Sequence, residues 1–139
     1  MHRILLCIFI AISCSFFLSC KTAKTTSQSE GLYAGVWQLS SIKGQPLSAA
    51  VAPSAVPSLQ FQTDGTLLGF TGCNRFNGRY NPQAKAGMFE PGAMTKMYCE
   101  GSVENEFLAL LQQSDRISIK GKQLILFNAN DMLMSFIQP

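Results

Sequence analysis

From Val36 onward the chain consists of short apolar runs that alternate residue by residue, broken by turn signals every eight to twelve residues. Alternation constrains such runs to be half-buried strands, because only a period of two sends every second side chain to the same face. Trp37 and Leu39 alternate with Val36, Gln38 and Ser40, and Leu59 and Phe61 with Gln60 and Gln62. Thr63, Asp64 and Gly65 supply a turn in which the glycine tolerates positive φ, and residues 66–70 return from it. Residues 43–46 turn the chain, and residues 49–57 form a loop of small residues with two prolines. Residues 72–80 read as a tight loop running into another strand, and Met88, Phe89 and Glu90 as a short strand stopped by Pro91 and Gly92. Towards the C-terminus Ile117 pairs with Ile119, Leu124 with Leu126, and Leu133 with Ser135 and Ile137, around turns at 120–122 and 128–131. Helical spacing occurs once, at Val103, Phe107, Leu110 and Leu111, with Ser102 as the expected N-cap and Glu104 and Glu106 at the positive end. The expected fold is therefore mainly β: a small antiparallel β-barrel or rolled sheet, with one α-helix covering an opening or a face.

The N-terminus sets the compartment. His2 and Arg3 precede an uncharged apolar run from Ile4 to Leu18, which ends in Ser19 and Cys20. A basic start, an apolar stretch of this length and a small residue before the cut describe a secretory signal over residues 1–19. The run is too short for a spanning helix, which needs roughly twenty residues. Ser19 before Cys20 is the arrangement of a lipoprotein, in which the thiol takes a diacylglycerol. Phe17 and Leu18 are bulkier than is usual there. The alternatives are ordinary signal cleavage, or an uncleaved anchor with an unmodified cysteine. Residues 20–32 follow as the lipidated Cys20 and a polar tether, which reaches about 40 Å if extended. The domain proper is expected over residues 33–139. This chain is thus read as lipid-anchored in the cell envelope, most simply at the outer membrane and facing the periplasm, with the membrane as its first partner.

Cleavage before Cys20 leaves 120 residues, a single-domain length, carrying ten basic and eight acidic side chains. That small positive charge gives no reason to expect a nucleic-acid partner. Cys7 and Cys14 leave with the signal and Cys20 carries lipid, so Cys73 and Cys99 remain. Two thiols in an exported domain are candidates for a disulfide, which would contribute about 3.5 kcal/mol for a loop of roughly 27 residues. The alternative is two buried thiols that never meet.

The one histidine, His2, also leaves with the signal. Ser–His and Cys–His nucleophile pairs and histidine-based zinc sites go with it. The carboxylates are scattered, with no suggestion of a paired acid and base, and the glycines form no phosphate-binding motif. No catalytic residue, metal or cofactor is expected.

One constellation stands out: Gly72, Cys73, Asn74, Arg75, Phe76, Asn77, Gly78, Arg79 and Tyr80, followed by Thr95, Lys96, Met97, Tyr98 and Cys99. With Trp37 and Leu39 before it and Glu104, Phe107 and Leu111 after it, this order resembles the META domain of the HslJ-like envelope proteins. That family carries Trp-x-Leu on its first strand, then Gly-Cys-Asn, Thr-x-Met-x-Cys, and Glu-x-x-Phe-x-x-x-Leu on a helix. The resemblance covers residues 33–137 and implies a small β-rich, barrel-like fold and a non-catalytic envelope role. Some members are linked to heat shock and to tolerance of novobiocin. No catalytic residue is carried over, since the family has none established.

From the residues themselves, Asn74 and Asn77 can bond their own backbones, so the motif reads first as an elaborate turn. Arg75, Arg79 and Lys96 are a candidate basic patch for an anionic glycan or lipid headgroup. Phe76, Tyr80 and Tyr98, like Met132, Met134 and Phe136, read first as core and second as a binding lining. The expected function is an envelope-stress or antibiotic-tolerance lipoprotein that binds an envelope protein, glycan or lipid. The alternative is a carrier with an apolar ligand inside the barrel, which requires an unfilled interior of roughly 300 Å³.

Overall fold

Each alternating run forms a strand, and its inward residues meet in one core. The computed structural model describes residues 31–84 and 87–139; the signal, Cys20 and most of the tether lie outside the described residues. The strands are β1 (Val36–Ile42), β2 (Gln45–Pro46), β3 (Ser58–Phe61), β4 (Thr66–Phe70), β5 (Arg75–Tyr80), β6 (Phe89–Met94), β7 (Arg116–Lys120), β8 (Gln123–Asn128) and β9 (Asp131–Ile137), with helix α1 (Glu104–Gln113) between β6 and β7. All pair antiparallel in the order β6-β5-β4-β3-β1-β9-β8-β7, with β2 on β1. The path starts at β6 and ends at β7 without joining them. The sheet is therefore rolled rather than closed into a barrel.

The core lies on the concave face. Trp37, Leu59, Phe61, Leu124, Leu126, Met134 and Phe136 come from the strands, and Phe107, Leu110 and Leu111 from α1. Phe107 packs edge-on against Phe76 of β5 (6.4 Å between ring centres) and Phe136 of β9 (6.3 Å), so the helix bridges the two halves of the roll. Full burial of each such ring stabilises the fold by about 1.5–3 kcal/mol. The Trp37 indole N–H, buried with its ring, donates to the Leu32 carbonyl at 3.0 Å. Leu32 is itself buried, which extends the domain to residues expected in the tether.

Three further expectations are corrected. The strand at Met88–Glu90 does not stop at Pro91 but runs as β6 to Met94. Since β6 is an edge strand, the missing Pro91 N–H costs no ladder bond. Ser102 does not cap α1: the N-cap position is Val103, without a side-chain bond, and the Ser102 N–H is turned back to the Cys99 carbonyl at 3.3 Å. Tyr98 is not core but 90% exposed, and Met132 is also exposed, whereas Phe76, Tyr80, Met134 and Phe136 are core as read. Trp37, Phe61, Phe107 and Phe136 all lie in the buried core of the roll.

Candidate functional site

Three of the sequence motifs, far apart along the chain, meet at one end of β5. After β4 the chain turns at Thr71 and Gly72. Gly72 has φ +92°, and a Cβ there would lie 2.6 Å from the Ala55 carbonyl oxygen, so the close approach of the 53–55 turn requires glycine. The Thr71 hydroxyl accepts from the backbone N–H groups of Asn74 (2.8 Å) and Cys73 (3.3 Å) and donates to the Glu104 carboxylate.

Asn74 is 1% exposed, and its amide is fully employed. Its Nδ2 donates to the Met97 carbonyl (3.0 Å) and to Glu104 Oε2 (2.9 Å). Its Oδ1 accepts from the Met97 N–H (2.7 Å) and the Thr95 hydroxyl (2.9 Å). Two donors and two lone pairs are the whole capacity of a carboxamide. One side chain thus fastens the backbone at Met97 and the first turn of α1 to the sheet. Cys73 and Cys99 sit beside it at disulfide distance, with Cα atoms 5.8 Å apart and a sequence separation of 26. The pair joins the β4–β5 loop to the segment entering the helix.

What this centre holds is the run from β6 to Cys99. Thr95 is fixed on both sides, its N–H donating to the Arg75 carbonyl (3.0 Å) and its hydroxyl accepting from the Arg75 N–H (3.1 Å). Between these fixed points Lys96, Met97 and Tyr98 project outward, with Met97 61% exposed. The order of the Gly-Cys-Asn, Thr-x-Met-x-Cys and Glu-x-x-Phe motifs therefore has one physical explanation. Each contributes a polar member (Asn74, Thr95, Glu104) to a single network centred on the buried Asn74. A match of this kind is the deciding observation for kinship: the META-domain family model matches residues 30–139. The chain belongs to the META-domain family.

Among solved structures, this META domain resembles a DUF4847 family protein from Bacteroides vulgatus, with 18% identity and a TM-score of 0.57 over 78% of this chain and 95% of that one. It also resembles a protein from Burkholderia xenovorans, with 25% identity and a TM-score of 0.55 over 80% of this chain and 86% of that one. Both likenesses are to the rolled-sheet fold. No curated protein sequence matches the chain.

Within the META domain the three residues of the expected basic patch are separated in character. Arg75 and Arg79 are both on the exposed face of β5, at its two ends. Arg79 lies opposite Glu90 of β6 and near Asp64, so acids answer its charge. The Thr66 N–H, then its hydroxyl, and more weakly Arg79 hold the Asp64 carboxyl below the usual carboxylate range. Arg75 is bonded through its backbone to Thr95, next to Lys96, and its guanidinium lies over the Phe70 ring of β4, 5.7 Å from the centre. Reading Asn74 as a self-bonding turn residue is corrected: the turn uses the Thr71 hydroxyl, and the Asn74 side chain reaches 21 to 30 residues along the chain. Asn77 accepts from the Ala93 N–H (2.9 Å) at the irregular step between β5 and β6. Thr71 carried no signal of its own in the sequence; Glu104 did, through its place in the helix motif.

Proposed function

We propose that this META-domain protein is a non-catalytic envelope lipoprotein, held by an acylated Cys20, that acts in stress or antibiotic tolerance by binding an envelope partner. One observation carries the reading. The polar side chains that the family motifs bring together, Thr71, Asn74, Thr95 and Glu104, bond to each other and to the backbone, which makes the centre a fastening for the 94–99 segment. A reaction centre instead keeps an acid, base or nucleophile aimed at open space. The sequence supports the compartment through the signal, Ser19 and Cys20, and through a cysteine pair suited to oxidising surroundings.

The test is affinity capture of the full-length protein from native envelope, with and without heat or novobiocin stress. A species enriched on the wild type and lost from an Asn74→Ala bait supports the reading. Recovery of the same proteins on both baits and on an unrelated lipoprotein contradicts it.

A further inference from the structure

We infer that residues 94–98 form a docking loop for a folded protein, which receives Tyr98 and Met97 in an apolar pocket with an acidic side chain placed against Lys96 and Arg75. The inference rests on the binding reading above and names its surface and the class of partner.

The exposed large hydrophobics of the described residues are Val36, Leu68, Met94, Met97, Tyr98, Met132 and Ile137. Three of the seven fall within five residues of one another, and Tyr98 at 90% is the most exposed of all. Slack loops also expose side chains, but this one is pinned at Thr95, at both backbone groups of Met97 and at Cys99. A loop already fixed in shape loses little conformational freedom on binding, so more of its contact energy appears as affinity. Tyrosine, methionine and arginine are also residue types enriched in protein interfaces. Met94 continues the surface into an apolar cleft of about 200 Å³ between β6 and α1, lined by Phe89, Pro91, Leu108 and Leu111, where a partner side chain can lodge.

Charge and position favour a protein over a lipid surface. Along the chain Lys96 precedes Tyr98 on one side, while Glu100 and the partly buried Glu104 follow on the other and line a depression beside Tyr98. A uniformly anionic membrane would repel that second side; a protein can complement both. Tyr33, where the chain enters the domain, bonds through its hydroxyl to that of Tyr80 at 3.3 Å, at the far end of β5 from Arg75. Five steps along the strand separate the two ends by about 17 Å. The loop is therefore displayed away from the end at which an N-terminal anchor would join.

The test places the photoreactive residue p-benzoylphenylalanine at position 98 of the full-length protein in cells that make it, with a control at position 68, on the outer face of β4. The inference predicts a discrete protein adduct from position 98, at least tenfold weaker from position 68. It further predicts that the adduct partner, once purified, binds the full-length protein at least tenfold more weakly after Tyr98→Ala or Lys96→Glu, with melting temperatures unchanged. Adducts with phospholipid alone, or with a second copy of this chain alone, overturn it, as does an unchanged affinity. An adduct at position 68 as strong as that at 98 overturns the surface but leaves the binding reading standing. No adduct from either position overturns both.

Discussion

Two asparagines three residues apart show how far identical chemistry diverges with burial. Asn74 has all four amide positions bonded inside the fold, whereas Asn77 accepts one bond on the exposed side. Removing a buried partner leaves the others unsatisfied, at about 1–3 kcal/mol for each group. Asn74→Ala is thus expected to lower unfolding stability by about 2–4 kcal/mol, and Asn77→Ala by less than about 1 kcal/mol. Denaturant midpoints at constant slope measure both, and equal losses would contradict the assignment. Tyr80 makes a second residue-level case. Burial, and then its bond to the Tyr33 hydroxyl, pushes the phenol up from the usual range near pH 10. A folded-state value above the unfolded one means that the folded protein keeps its proton longer. The contribution to stability is full below pH about 10 and is lost as pH rises from there through the folded value. Chemical denaturation at pH 9 and pH 11 should show a fall in stability that Tyr80→Phe reduces; the same fall in both proteins would refute it.

At the scale of elements, alternation made most strands legible, because Trp37, Leu39, Leu59, Phe61, Leu124 and Leu126 face inward where the pattern placed them. It failed where an edge or a long-range bond decides. β6 tolerates Pro91 and Gly92 only because its outer side needs no ladder partner, and Asn77 supplies an acceptor for the Ala93 N–H at the irregular step. Alternation also breaks in β9, where Leu133, Met134, Ser135 and Phe136 are all buried. There an irregular step in β1 brings both Ser40 and Ser41 hydroxyls onto that of Ser135, at 2.8 and 2.6 Å. The Thr71–Asn74–Glu104 centre was illegible for a different reason: its partners are about 20 to 33 residues apart, and no local period encodes such contacts. The cysteine pair joins two of these segments, so its removal acts on the element as a whole. Cys73→Ser, Cys99→Ser and the double variant should lose similar stability, about 2–4 kcal/mol each, since a single bridge is lost only once. Thiol labelling of protein made under oxidising conditions and thermal melts check this; two free thiols, or single losses that add, would rule the bridge out.

For the whole molecule, the proposed function gives the rolled sheet and an acylated Cys20 separate tasks. The sheet presents residues 94–98, and an acylated Cys20 would keep that surface at a membrane. Labelled palmitate should enter the wild type and vanish in Cys20→Ala, whereas equal label in both would remove the anchor from the account. The fold class was legible because strand alternation is local in sequence. The displayed loop was not, since Tyr98 and Met97 look like core residues until the network beneath them is seen. That network is the central claim, and amide hydrogen exchange over the whole chain tests it most directly. Strands β1, β8 and β9 should exchange slowly, because each is paired on both sides. The account predicts that the Met97 amide is also strongly protected, despite its exposed side chain, and that Asn74→Ala releases it while β8 and β9 stay protected. Exchange at Met97 in the wild type as fast as in an unstructured peptide would contradict it.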